Sequence, residues 1–78
     1  MMDELRAKID KTDKELLRLF KERMEIVRQI ALYKKEHGLP ILDAAREREK
    51  LTAIDCPYEQ KLCAALMELS RAYQESVI

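Results

Sequence analysis

The 78-residue chain contains few of the residue types that form tight turns, bind metals or build disulfide frameworks. It has one Gly, two Pro, two Cys, one His and no Trp. It also lacks a Gly-rich phosphate loop, internal repeats and low-complexity segments. The shortage of Gly and Pro is typical of helices joined by short connections.

The two cysteines are too few and too isolated to indicate a metal site. Cys56 and Cys63 are seven residues apart, with Pro57 between them. Two thiols without a cluster of histidines do not form a zinc site. We interpret Cys63 as a small core residue and Cys56 as an ordinary thiol near a helix start. No metal and no cofactor are predicted.

An excess of charge of one sign is also absent. Fifteen Lys and Arg balance fifteen Asp and Glu, so the formal net charge is zero. This balance argues against nucleic-acid binding, although a local basic pocket is still allowed. No apolar run approaches the roughly 20 residues that span a bilayer. The N-terminal sequence MMDELRAK lacks the apolar core of a signal peptide, so we expect a cytoplasmic protein without membrane contacts.

The chain is rich in Leu, Glu, Lys, Arg and Ala, with 38% charged and 47% hydrophobic residues. This composition predicts an all-α fold with one domain over residues 1–78. A long first helix is predicted from about Met2 to Glu36. Residues placed at 100° per step give it one broad apolar face. That face contains Leu5, Ile9, Leu16, Leu19, Phe20, Ile26, Val27 and Ile30.

Three cations lie on or beside this apolar face. Arg23 and Lys34 fall in its middle, and Arg6 falls on its flank. Arg23 and Lys34 lie on the same line about 16 Å apart, and a cation left unpaired there costs several kcal/mol. A single Lys or Arg on an apolar face usually lays its aliphatic stem on that face and keeps its charged end in water. Two or three together favour a buried anion that they share.

Capping residues predict the limits of the first two helices. Asp3 is predicted to cap the start of the first helix, and Gly38, followed by Pro40, is predicted to end it. Asp43 is predicted to cap a second helix that runs to about Asp55.

The second and third helices carry polar residues beside their apolar ones. The third helix is predicted over about Pro57–Ser76, because Pro fits the first turn of a helix. Glu47 lies on the apolar line of the second helix, and Arg46 lies next to it. Ser70 and Gln74 are four residues apart, so one lies above the other. Glu47 facing inward is unusual: it is either a surface Glu paired with a neighbouring Arg or an acceptor inside the cavity that holds the cations. Ser70 and Gln74 are unremarkable alone, but in a functional interpretation they add a hydroxyl and an amide to that cavity.

The length of the first helix predicts a dimer. A helix of about 33 residues is close to 50 Å long. The rest of the chain is too short to cover its apolar face. A second copy of the chain is the simplest cover, with the long helices side by side.

Five stretches carry a family resemblance through their order and spacing. They are LRAKID at 5–10, LFKERMEIV at 19–27, ALYKK at 31–35, GLPILDAAREREKL at 38–51 and LSRAYQ at 69–74. The chain resembles the all-helical chorismate mutases (the AroQ class) over almost its full length. The most specific features are the ER at 22–23, the Lys eleven residues later and the D-x-x-R-E at 43–47. The link between the second and third helices is shorter than in the best-known bacterial members.

The resemblance implies an intertwined homodimer of three-helix chains, with each active site completed by the partner's long helix. Arg6 would reach across into the neighbouring site. The implied activity is the rearrangement of chorismate, a small dicarboxylate, to prephenate in the shikimate pathway of aromatic amino acid biosynthesis. The residues contributed by the chain itself would be Arg23, Lys34, Asp43, Arg46, Glu47, Ser70 and Gln74.

The implied reaction is a Claisen rearrangement, in which no proton moves. It needs no nucleophile, metal or general base. The substrate must be held in a folded shape, and negative charge on the ether oxygen must be stabilised. The resemblance makes Lys34, Gln74 and Arg23 the catalytic residues.

Two alternatives remain open at this stage. An isochorismate–pyruvate lyase shares the fold and several of the same cations, and its reaction is also pericyclic. A helical dimerisation module without activity would use the polar residues of its apolar face to set the register of the helices.

Overall fold

The structure is a computed structural model that describes residues 1–78, and it consists of three α-helices and no strands. Helix α1 spans Met2–Glu36, α2 spans Ala44–Thr52 and α3 spans Pro57–Val77. The predicted all-α fold with one long, one short and one medium helix is confirmed.

Helix α1 begins one residue earlier than its predicted cap. Met1 occupies the N-cap position and makes no side-chain capping hydrogen bond, and Asp3 and Glu4 lie in the first turn. The predicted capping role of Asp3 is therefore wrong. The two carboxylates still lie near the positive end of the helix dipole, where negative charge is favourable.

Charge pairs three and four residues apart stabilise the exposed side of α1. Arg18 pairs with Glu15 and, at 2.8 Å, with Glu22. Arg28 pairs with Glu25 at 2.7 Å. Hydrogen bonds from these arginines lower the pKa values of Glu15 and Glu25.

The C-terminal end of α1 is closed by a Schellman motif. The Gly38 amide donates to the Lys35 carbonyl at 3.3 Å, and the Leu39 amide donates to the Lys34 carbonyl at 2.8 Å. Gly38 has φ 65°, as predicted for the residue that ends the helix. A left-handed residue there lets the chain turn back toward α2.

Replacing Gly38 with Ala is expected to lower the free energy of unfolding by about 1 kcal/mol, because an L side chain is strained at positive φ. An added Cβ would meet nothing within 4 Å, so the cost is in the backbone alone. Thermal unfolding should show a midpoint lower by about 4–8 °C. Gly38→Asn should lower the unfolding midpoint less than Gly38→Ala does, because Asn tolerates this conformation. Equal decreases of the midpoint in the two variants would contradict backbone strain as the cause.

Helix α2 is capped as predicted but ends earlier than predicted. The Asp43 carboxylate accepts from the Arg46 amide at 3.1 Å. The helix ends at Thr52 rather than near Asp55. The side-chain Nε2 of Gln60, on α3, donates to the carbonyls of Leu51 at 3.2 Å and Ile54 at 2.5 Å. These carbonyls therefore have partners without another helical turn.

Helix α3 packs against both other helices, whereas α1 and α2 do not pack on each other. It starts at Pro57, as predicted, and ends at Val77. The two cysteines are free and half-buried. The five buried residues all lie on α1 and α3: they are Val27, Ala31, Met67, Ser70 and Gln74.

The chain is elongated and flat. It measures 54 × 26 × 14 Å, with a radius of gyration of 15.6 Å. A compact chain of this length has a radius of about 11–12 Å. The rest of the chain is too small to enclose a helix of this length, and much of α1 stays uncovered.

The N-terminal half of α1 is not covered by the rest of the chain. Residues 1–19 are all exposed, including half of the predicted apolar face. Leu5, Ile9 and Leu16 are each more than half exposed. None of the three helices combines the length and the hydropathy needed to cross a membrane.

Candidate active site

A cavity of about 330 Å³ lies among the three helices and the segment before α2. Its volume is in the range of small-molecule sites, about 300–1,000 Å³. Seven of the eight predicted site residues line it: Arg23, Lys34, Asp43, Arg46, Glu47, Ser70 and Gln74. The remaining lining residues are Ile26, Val27, Ile30, Ile41, Lys50, Met67 and Arg71.

Arg23 is held by a hydrogen-bond relay to α3. Its Nη1 donates to the Ser70 hydroxyl, and Ser70 Oγ donates to the Leu66 carbonyl at 2.7 Å. Ser70 is only 7% exposed. Its single proton is therefore used within α3, and its oxygen orients Arg23. The guanidinium still has other N–H groups free for a ligand.

Lys34 lies in the last turn of α1 and reaches the segment that leads to α2. Its Nζ donates to the Ile41 carbonyl at 2.6 Å. An ammonium group has three donors, so two remain for a ligand in the cavity. The same bond holds the start of α2 near α1.

Gln74 contributes a polar group without a partner. Its side chain is 6% exposed, and its Oε1 is buried with no hydrogen-bond partner. A buried polar atom left unpaired is destabilising by about 1–3 kcal/mol. A half-turn of the carboxamide exchanges its oxygen with its NH₂ group, so Gln74 can present an acceptor or a donor to a ligand.

Glu47 is paired across the gap between α2 and α3. Arg71 Nη1 donates to Glu47 Oε1, and the two side chains are 31% and 25% exposed. This hydrogen bond raises the pKa of Arg71 above its usual value. The other oxygen of Glu47 accepts no hydrogen bond from the protein.

Sequence reasoning missed Arg71 and Lys50 as cavity residues. On α3, Arg71 is three residues before Gln74, so it lies only about 60° away around the helix. On α2, Lys50 is three residues after Glu47 and has the same relation to it. The helical periodicity therefore contained the signal for both, but each also fits an ordinary exposed cation.

The cavity is electropositive. Five cationic side chains, Arg23, Lys34, Arg46, Lys50 and Arg71, face two carboxylates, Asp43 and Glu47. The excess of three positive charges favours a small ligand with more than one negative charge. The apolar residues Ile26 and Ile30 complete one wall and are themselves 56% and 41% exposed. That wall is open to solvent in the single chain.

Arg6 does not reach this cavity within the chain. It is exposed and lies seventeen residues before Arg23 on the same helix, about 26 Å away along the axis. A straight helix cannot bring the two side chains together. Arg6 could contribute to such a site only from another copy of the chain.

A second, more open depression of about 410 Å³ lies between α2 and α3. Arg48 and Lys61 line it, and its lining includes no carboxylate and no buried residue. It is larger than the first cavity but lacks convergent polar groups. The described chain contains no group of three His, Cys, Asp or Glu residues arranged to hold a metal ion.

The fold and the cavity define an all-α domain with a cationic pocket suited to a small anion. The chain belongs to the chorismate mutase type II family, which matches residues 5–75. The resemblance predicted from the five sequence stretches is confirmed.

Named relatives agree with this family. The chain is 44% identical over 52 residues to the T-protein of Haemophilus influenzae, covering 67% of the chain and 14% of that protein. It is 44% identical over 48 residues to a bifunctional chorismate mutase/prephenate dehydratase of Aquifex aeolicus, covering 62% and 13%. It is 40% identical over 45 residues to a chorismate mutase of Methanocaldococcus jannaschii, covering 58% and 46%.

The chain therefore spans less than half the length of each of these relatives. No solved structure gave a significant match.

Proposed function

We propose that the chain is a chorismate mutase that converts chorismate to prephenate. Membership of the family supports this activity. The observation that carries the proposal is the single cavity that brings Arg23 and Lys34 together with the unpartnered amide of Gln74. These groups supply positive charge and hydrogen-bond donors, which are the main requirements of the proposed reaction.

The chemistry explains why such a cavity is sufficient. Chorismate carries two carboxylates, an enol ether and a ring hydroxyl. In the rearrangement a C–O bond breaks while a C–C bond forms, and no proton is transferred. The cavity must hold the enolpyruvyl arm over the ring and stabilise the partial negative charge on the ether oxygen.

Each predicted residue has a role in this scheme. Arg23 and the partner's Arg6 bind the carboxylates, because a guanidinium matches a carboxylate with two parallel hydrogen bonds. Lys34 and the NH₂ group of Gln74 donate to the ether oxygen. Ser70 holds Arg23 at the carboxylate, and it can donate there itself only by releasing the Leu66 carbonyl.

The acidic end of the cavity serves the ring hydroxyl. Glu47 accepts from that hydroxyl through the oxygen that Arg71 leaves free. Asp43 and Arg46 shape this end of the pocket, and Asp43 also fixes the start of α2. The pathway assignment to aromatic amino acid biosynthesis follows from the product. A cytoplasmic location stays a prediction.

The assay that tests this function offers chorismate and isochorismate separately to the purified chain and identifies the products by NMR. We expect prephenate from chorismate. Pyruvate and salicylate from isochorismate, without prephenate, would replace the mutase by the lyase. No turnover of either substrate, with a melting temperature indifferent to a transition-state mimic, would favour the dimerisation module.

We propose further that the active form is a homodimer with the α1 helices side by side. The bare apolar half of α1 and the open wall of the cavity support this arrangement. One line on α1 alternates spacings of four and three residues, as in the seam of a coiled coil. That line is Leu5, Ile9, Thr12, Leu16, Leu19, Arg23, Ile26 and Ile30.

Leu16→Glu is expected to dissociate this dimer, because it places a charge on the apolar seam. Lys14→Glu is the matched control, because Lys14 lies on the opposite side of α1. Sedimentation at low micromolar concentration should give one chain for Leu16→Glu and two for the control and the unsubstituted protein. An unsubstituted chain that sediments as a monomer would refute the dimer.

A further inference from the structure

We propose that Arg71 is a positioning residue that holds the Glu47 carboxylate in the cavity, with one oxygen bound and the other directed to the ligand. This inference rests on the proposed function and deepens it. Arg71 lies within the LSRAYQ stretch at 69–74, but the family resemblance gave it no role, and its role emerges from the contact between α2 and α3.

Helix α2 is weakly attached to the rest of the chain. This helix has nine residues and none of them is buried. It packs on α3 and not on α1. A carboxylate on such a helix needs a tether if it is to hold a fixed place in a cavity.

Side chains of α1 and α3 hold α2 at its two ends and in its middle. Lys34 holds the segment before α2 through the Ile41 carbonyl. Gln60 holds its C-terminal end through the carbonyls of Leu51 and Ile54. The middle of the helix is held to α3 by Arg71 and Glu47. Theirs is the only salt bridge between different helices, since the other three lie within α1.

The contact between Arg71 and Glu47 leaves one oxygen of the carboxylate free. Arg71 binds only Oε1 of Glu47, so Oε2 remains free to accept a hydrogen bond. Both side chains are more than two-thirds shielded from solvent, and both line the cavity. An arginine in this place also compensates the charge that Glu47 brings into a partly apolar pocket.

The positioning role predicts a specific pattern in a double-mutant cycle. We expect Arg71→Met to lower kcat/KM for chorismate by about tenfold in the unsubstituted background. In the Glu47→Gln background, Arg71→Met should lower kcat/KM by less than about twofold, because the group that Arg71 positions has already lost its charge. Arg71→Lys should restore part of the activity, since it retains the charge but not the guanidinium geometry.

Arg48→Met is the matched control, because it removes a neighbouring exposed arginine from α2 without touching the cavity. It should leave kcat/KM unchanged. Melting temperatures of all variants are measured together with the kinetics, and assays are run well below them.

Two results would overturn the inference while the proposed function stands. Equal losses from Arg71→Met in both backgrounds would mean that Arg71 binds the substrate directly. A lower melting temperature with unchanged kcat/KM would mean that the ion pair is only structural. An inactive unsubstituted chain would instead refute the proposed function, and the inference with it.

Discussion

Replacing Lys34 with Ala is expected to lower kcat/KM for chorismate by about 100-fold or more while the chain stays helical. The ammonium group lies in the shared cavity, where it is proposed to stabilise charge that develops on the ether oxygen. Loss of one preorganised donor of this kind typically costs about 3 kcal/mol in the transition state. Chorismate loss is followed by absorbance, and helix content by circular dichroism. Arg23→Ala should show a loss of similar size.

The neighbouring residue provides the control for this prediction. Lys35→Ala removes the same charge from the same helical turn but outside the cavity, so it should retain full activity. Lys34→Gln keeps a donor for the Ile41 carbonyl and loses the charge. If Lys34→Gln is also impaired, the loss comes from electrostatics and not from the connection to α2. Full activity in a folded Lys34→Ala or Arg23→Ala chain would refute the assignment.

Mixed dimers of Arg6→Ala and Arg23→Ala chains are expected to recover activity that both parent variants lack. Each proposed site uses Arg23 from one chain and Arg6 from the other. A mixed dimer would therefore contain one site with both arginines and one site with neither. Purified through two different affinity tags, it should have about half the activity of the unsubstituted dimer.

The same experiment separates the alternatives for Arg6. If Arg6 served its own chain, every site in the mixed dimer would lack one arginine, and no activity would return. If Arg6 had no role in the site, the Arg6→Ala parent would be fully active. Recovery in the mixed dimer alone requires that the site be shared between two chains.

The helices and the cavity residues were predictable because both depend on helical periodicity. Arg23 and Lys34 differ by eleven residues, close to three full turns, so they share a line on α1 whatever the rest of the chain does. Gly38 was predictable as the end of α1, because its positive φ suits no other residue as well. The family resemblance then placed the contributions of α2 and α3 in the same pocket.

The end of α2 and the role of Arg71 could not be predicted in the same way. Beyond the early stop at Thr52, the side-chain NH₂ group of Gln60 donates to the carbonyls of Leu51 and Ile54, a contact between two elements that helical periodicity does not reveal. Arg71 and Glu47 are 24 residues apart and meet only because α2 packs on α3. On a helical wheel, Arg71 is one more cation at the edge of an apolar stripe.

Asp3 failed as a predicted cap for a local reason. A capping residue must stand just outside the helix, and α1 already includes Met2. The exposed leucines of α1 are the opposite case, because their pattern is clear in the sequence and the surface proposed to cover them belongs to a second copy of the chain. Residues 1–19 of α1 are all exposed in the single chain.

Arg23 and Lys34 are proposed to bind one small dianion in a shared cavity. A calorimetric titration with a dicarboxylate mimic of the transition state of the rearrangement measures this binding. We expect one bound molecule per chain, with affinity reduced about 100-fold or more in both Arg23→Ala and Lys34→Ala. Equal affinity in the variants, or no binding to the unsubstituted chain, would contradict it.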